Sequence, residues 1–404
     1  MNDTGSIPTD RRWRPGQASE IAAALREANA ASKCCEILGG GTKRSLGNPV
    51  TADIQLDMSA IRGIEFYEPE ELVIKVRAGT PIAEIRAALA EQQQHLACEP
   101  PDLAGFFGDA VAGDTIGGAV ACNLSGPRRI LNGSIRDAVL GMEAVNGLGE
   151  IFKGGGRTVK NVTGYDMPKL LAGSFGVLAV ITTVTLKLHP APVREATLLL
   201  PNLGDDDAIQ IMGEALRMPL DISAASHLAT RDRHAVTALR LEGFAESVAA
   251  RREALQKRLH GMTGVTVIEG EESAAFWRRR RDLSDLAGDA LACIWRLLLP
   301  ASHAARMAAA IGGAALYDWG GSRVFVKTNE ETVRTQGELL RSMVGQAGGS
   351  VCLFKAPAGL RQAFGAFHPR PQAHQDLAER IRARFDPNHV LNPGKLAPVT
   401  QGAT

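Results

Sequence analysis

Apolar residues recur with helical spacing at Ile21, Ala24, Leu25 and Ala28, which predicts a helix capped by Ser19. Cys34–Leu38 reads as a short strand that runs straight into the glycine-dense segment Gly39-Gly40-Gly41-Thr42-Lys43-Arg44-Ser45-Leu46-Gly47. Two further strands are predicted at Ile54–Met58 and, after the turn Glu68-Pro69-Glu70-Glu71, at Leu72–Ala78. Gly79-Thr80-Pro81 then starts a helix over 82–92, with Thr80 as N-cap and Pro81 at the first helical position. A strand near His95–Cys98 follows. This alternation argues for α+β or α/β in the first half.

From Gly105 to Gly164 glycines are frequent and few periodic segments persist. Val139–Asn146 and Val177–Leu188 are the clearest strands there. His189-Pro190-Ala191-Pro192 breaks the pattern and predicts a domain boundary. Beyond it, helices are predicted at Ala208–Leu216, Ala245–His260 and Ser302–Ile311, alternating with strands such as Ala235–Leu241 and Arg323–Lys327. Leu377–Phe385 reads as a last helix before the turn-rich Asp386–Leu396. The expected organisation is therefore one unit over 1–190, a second over 191–375 and a C-terminal segment over 376–404.

At 404 residues, two domains are the default. A net charge of +1 gives no global field for nucleic acid or an anionic membrane. The polar N-terminus, with Arg11, Arg12 and Arg14, does not read as a signal peptide, and no apolar run is long enough to span a membrane. The six cysteines form no C-x-x-C, so neither a zinc ribbon nor an iron–sulfur cluster is expected, and a reduced cytoplasmic location fits.

The glycine run after Leu38 and a second one, Gly113-Asp114-Thr115-Ile116-Gly117-Gly118, carry the chemistry. Without a Cβ, neighbouring main-chain N–H groups can turn towards one anion, such as a pyrophosphate. A dinucleotide fingerprint G-x-G-x-x-G would need glycine at Arg44 and a helix opening behind it; Gly47 and Pro49 interrupt instead. No Gly-Lys-Ser/Thr triplet makes a Walker loop. What survives is an anion clamp made of two turns, with no helix terminus involved. The alternative is a pair of ordinary glycine-rich turns.

With Pro100-Pro101-Asp102, Asn123–Arg129, Gly133–Asp137 and Gly176–Thr182, these runs resemble the FAD-binding domain of the vanillyl-alcohol-oxidase flavoprotein superfamily. Ser125–Arg129, Lys160–Asp166 and Leu170–Gly176 narrow the resemblance to the GlcE family of bacterial glycolate oxidase subunits, and the tail Phe385-Asp386-Pro387…Leu391-Asn392-Pro393-Gly394-Lys395 resembles the superfamily's closing motif. The resemblance implies an α+β fold: a PCMH-type FAD-binding domain of two subdomains plus a second α+β cap domain. It implies non-covalent FAD. Gly39, Gly40, Gly41, Thr42 and Ser45 would surround the pyrophosphate, with Thr115, Gly117 and Gly118 on its other side. Ser125 and Gly133 fall where backbone runs along the flavin, the main chain of Ile181 at the adenine end, and Asn392 and Lys395 in the returning tail.

The superfamily's covalent tethers use a His in the first loop or a Cys or His in the second. The first loop has none, and Cys122, among Ala119-Val120-Ala121, reads as a packed thiol. Arg128, Arg129 and Arg136 stand as a solvated basic face or as neighbours of the flavin or of a partner. Phe276-Trp277-Arg278-Arg279-Arg280-Arg281 stands as a docking surface or an amphipathic helix with a basic face. An H-x-G-D-G-N-x-H-like motif is lacking. His227, His234, His260, His303, His368, His374 and His389 show no metal spacing, so no metal and no catalytic residue is named. His368 and His374 read as loop residues.

The implied partners are a catalytic flavoprotein subunit and an iron–sulfur subunit, with a small 2-hydroxy acid oxidised by the complex and membrane contact peripheral through it. A non-catalytic organising subunit and a stand-alone FAD-dependent 2-hydroxy-acid oxidoreductase are the alternatives.

Overall fold

The computed structural model of the chain describes residues 12–108, 113–158, 164–229, 235–289 and 291–397. The first sheet is parallel, ordered β1 (Arg12–Trp13), β3 (Ile54–Asp57), β2 (Cys35–Leu38). Helix Ala18–Ala30 lays Ile21, Ala22, Leu25 and Ala28 against it, and all four are buried with Cys35, Ile54 and Leu56. Its N-cap is Gln17, and Ser19 lies inside the first turn.

A five-stranded antiparallel sheet follows, ordered β4 (Ile64–Glu68), β5 (Val73–Arg77), β9 (Ala179–Lys187), β7 (Val139–Asn146), β8 (Ile151–Gly155). The central β9 is buried along all but its last residue. That explains its near-continuous apolar and threonine run. Helix Ile82–Glu91 starts where expected, but Pro81 and not Thr80 is its N-cap; Thr80 Oγ1 instead donates to Arg77 O at 2.6 Å. His189–Pro190 (β10), read as a break, pairs antiparallel with Gln94–His95 (β6).

The remaining strands are β11 (Arg194–Pro201), β12 (Ala224–Ala229), β13 (Val236–Gly243), β14 (Thr266–Glu269), β15 (Cys293–Leu298), β16 (Ala315–Asp318), β17 (Arg323–Thr328) and β18 (Ser350–Lys355). They form one antiparallel sheet of order β14-β11-β13-β12-β16-β17-β15-β18. One face buries Leu198, Leu239, Trp295 and Val324 under helices Asp205–Arg217, Ala245–Arg258, Ala304–Ile311 and Glu330–Gln346. The other presents Ile294, Leu316, Phe325 and Phe354, which pack with Leu46, Leu103, Phe106, Phe107 and Leu124 of the first half. This apolar seam sets the sheet against the glycine loops.

The chain end returns to the start. After helix Gln372–Phe385, the buried Asp386 carboxylate accepts the N–H groups of Val390 and Leu391, each at 2.9 Å. Cys35 N–H then donates to Val390 O at 2.7 Å and Asn392 N–H to Cys35 O at 2.9 Å, so the tail runs alongside β2. No helix among the described residues is long and apolar enough to cross a membrane.

Candidate functional site

The strand β2 ends at Leu38, and the chain continues through turns, with no helix springing from it. The second glycine run lies directly against this loop. A Cβ on Gly39 would overlap Thr115 Oγ1, so glycine is what lets the two segments touch. Asp114 binds them. It accepts from Thr42 Oγ1 and pairs with Lys43 Nζ at 2.7 Å through Oδ1, while Oδ2 accepts Leu103 N–H at 2.9 Å. Lys43 and Asp114 are both buried in this pair.

The second run differs from the expected plain turn. Thr115 is the N-cap of helix Ile116–Cys122, its Oγ1 accepting Gly118 N–H at 3.4 Å. Ile116 N–H donates to Thr80 O at 3.0 Å and Gly117 N–H to Ala78 O at 2.8 Å. These amides are spent internally, so this side contributes shape more than donors. The first loop is the reverse case. Among the described residues, the N–H groups of Gly40, Gly41, Thr42 and Lys43 have no acceptor. Consecutive amides in this state are a ready anion cradle.

The two segments line a cleft of about 840 Å³, counting its open mouth. Gly39, Gly40, Gly41, Thr42, Thr115, Gly117, Gly118, Ile181, Asn392 and Lys395 all border it; Ser45, Ser125 and Gly133 do not. Ser125 Oγ accepts Ile135 N–H at 2.9 Å, and its carbonyl accepts from Arg323 at 2.7 Å. Gly133 ends a short helix.

The tail reaches the cleft through Asn392, whose Oδ1 accepts Ile37 N–H and whose Nδ2 donates to Phe175 O, both at 2.8 Å. That fixes Lys395, whose Nζ donates to Arg44 O at 3.0 Å and has no ion pair among the described residues. Burial lowers its pKa to about 8. Glu36 does not neutralise it, being held by Arg44 through two bonds of 2.8 Å. Four unused amides beside an unpaired ammonium fit a diphosphate. Cys122 borders the cleft at the far end of the helix, and burial raises its thiol pKa.

Several other expectations change. Arg128 is neither on a solvated face nor in the cleft. It pairs with Glu99 at 2.7 Å and with Glu242, while Arg240 binds Glu99 at 3.0 Å, which joins the first half to the large sheet. Arg129 and Arg136 are exposed. The basic run after Phe276 lies on helix Gly270–Arg281. Trp277 is buried, and Arg278 to Arg281 pair with Glu271, Asp285 and Asp282, so it is an amphipathic helix with neutralised charges. His374 is helical, not in a loop, and Lys160 to Thr163 and His234 lie outside the described residues.

Asp114 was visible only as a member of its glycine run. Its signal was available: an acid inside an anion cradle demands a neighbouring cation, and Lys43 is the one in the facing loop.

The family described as FAD binding domain matches residues 10–155. Glycolate oxidase subunit GlcE of Escherichia coli K12 is 36% identical over 361 residues, covering 89% of this chain and 91% of that protein. D-lactate dehydrogenase of Archaeoglobus fulgidus is 33% identical over 211 residues, covering 52% of this chain and 45% of that one. Among solved structures, substrate-bound p-cresol methylhydroxylase superposes with a TM-score of 0.69 at 15% identity, covering 95% of this chain and 88% of that one. The fold is thus the α+β, PCMH-type flavoprotein fold. The chain belongs to the GlcE family of FAD-dependent oxidoreductase subunits, and FAD is its cofactor.

Proposed function

We propose that this chain is a subunit of a glycolate oxidase complex that holds FAD non-covalently and relays electrons from glycolate, oxidised to glyoxylate, towards an iron–sulfur partner subunit. The observation that carries the reading is the run of acceptor-free amides at Gly40–Lys43 beside the unpaired Lys395 in one cleft. In this reading 1–190 is the FAD-binding unit, 191–375 the cap and 376–404 the segment returning to the cofactor. Gly39 to Thr42, with Ser45, wrap the pyrophosphate; Thr115, Gly117 and Gly118 shape its other side. Ile181 offers its main chain, and Asn392 and Lys395 close the site from the tail. Ser125 and Gly133 set the course of the backbone beyond Cys122.

Bound FAD supplies a two-electron acceptor for the hydride leaving the hydroxy-acid carbon. The chain's own contribution is binding and orientation. Among the described residues the carboxylate that lines the cleft, Glu36, is tied to Arg44, and Asp114 of the second glycine run is tied to Lys43. A base for the hydroxyl proton is therefore assigned to the catalytic flavoprotein partner. Any membrane contact is peripheral and made through the complex.

The test is to purify the chain alone and with its partner subunits, count FAD per chain, and follow the visible flavin bands on adding glycolate. Bleaching in the complex and none in the lone chain is expected. Bleaching of the lone chain indicates a stand-alone oxidase. An assembled complex whose flavin on this chain stays oxidised through turnover indicates an organising subunit.

A further inference from the structure

A second cation without a partner lies close to the cleft, on the large sheet. Arg296 is on β15, beside Phe325 of β17 and Cys352 of β18. Among the described residues its guanidinium makes no hydrogen bond and no ion pair, and its Nε is buried without an acceptor. The Phe354 ring, 5.4 Å from its Cζ, is its one cation–π partner. Neighbouring charge makes the site more positive still. Arg129 and Arg323 both feel the Arg296 charge, and Asp318 is spent on Arg323. A guanidinium held among apolar rings without an anion is costly, because its hydration is not replaced.

Its place relates it to the cleft. The same sheet face carries Ile294, Phe325 and Phe354, and packed against that cluster are Cys122 and Phe175, which border the cleft. The Arg296 charge also reaches the Cys122 thiol. Cys122 is the last residue of the helix that the second glycine run opens. A planar guanidinium fork matches a carboxylate with two parallel hydrogen bonds.

We propose that Arg296 anchors the carboxylate of a small 2-hydroxy acid at the Cys122–Phe175 end of the cleft, so that this chain has a substrate site of its own. This rests on the glycolate reading for the substrate class. Arg296 is then a specificity residue: it selects carboxylates and rejects the corresponding alcohols.

The experiment is equilibrium dialysis of the full-length, FAD-loaded chain with radiolabelled oxalate and glycolate, using ethylene glycol as the uncharged control, on wild type, Arg296→Gln and Arg296→Lys. Loss of two charge-assisted hydrogen bonds is expected to weaken oxalate binding by about tenfold or more in the Gln variant. The Lys variant, which keeps charge without the fork, is expected in between, and both variants retain FAD. The Lys variant decides the matter if the Gln variant does not fold. Equal oxalate affinity in all three proteins overturns the proposal. So does absence of carboxylate binding to wild type, or loss of FAD from the Lys variant, which would assign Arg296 to the flavin. The two readings separate cleanly. Arg296-dependent oxalate binding in a chain whose flavin glycolate never reduces, alone or in complex, removes glycolate and keeps the anchor. Glycolate reduction with unchanged affinity in Arg296→Lys does the opposite.

Discussion

Asp114 is the residue on which the two glycine runs meet, because one carboxylate holds Thr42, Lys43 and the Leu103 amide. Replacing it by Ala leaves the Lys43 ammonium buried without its partner, a change worth about 3 kcal/mol or more. Asp114→Ala should therefore lower the melting temperature by several degrees and release FAD on gel filtration, with Asp114→Asn in between. Gly39→Ala forces a Cβ into Thr115 and should cost about 1–3 kcal/mol in denaturant unfolding. Gly41 has open space but a φ of +78°, so Gly41→Ala should cost only about 1 kcal/mol. Lys395 gives a pH test. Its folded pKa is lowered from 10.5 to about 8, so the cation that attracts a diphosphate is lost as pH rises through 8. FAD affinity in titrations of the apo-chain should fall above pH 8, and Lys395→Met should be weaker throughout and flat across that range.

At the scale of elements, the two halves are joined by buried charge as well as by the apolar seam. Arg128 and Arg240 tie Glu99 to Glu242, so Arg128→Met leaves two buried carboxylates sharing Arg240 and should cost about 3 kcal/mol, read as a lower melting temperature. Glu195 lies at the edge of this group, 3.6 Å from Arg128 and bonded by Ser273 at 2.6 Å. Burial raises its carboxyl from 4.5 to about 7. The native state holds that proton more tightly than the unfolded chain, so its contribution is complete below pH 4.5 and lost as pH rises through 7. Wild type should lose stability over that window relative to Glu195→Gln.

The elements that were readable in the sequence had a simple reason for being so. Val139–Asn146 is a mostly apolar, largely buried run before a turn, and Ala245–Arg258 keeps helical spacing. The edge strand Ile64–Glu68 mixes exposed and half-buried positions and left no period to read. Glu99, Arg128, Arg240 and Glu242 are scattered along the sequence, and only tertiary folding brings them together. In the site, glycine spacing located the loops and the tail motif located Lys395. Spacing could not show which amides keep a free N–H, because Thr80 and Ala78, the acceptors for Ile116 and Gly117, lie on a different segment.

For the whole molecule, three parts converge on one cleft: the loop after β2, the helix after Thr115 and the returning tail through Asn392 and Lys395. The large sheet closes against them through Ile294, Phe325 and Phe354. Deleting the tail from Asp386 onward should therefore remove both a neighbour of β2 and the only unpaired cation bordering the cleft among the described residues, with loss of bound flavin. The most direct measurement is the FAD-to-chain ratio of the purified protein before and after acid precipitation, for wild type and Lys395→Met. One FAD per chain, freed entirely by acid and much reduced in Lys395→Met, is the predicted result. Flavin that stays with the precipitated chain, or wild-type occupancy in Lys395→Met, would contradict a cofactor held only by the amides of the first loop and the ammonium of the tail.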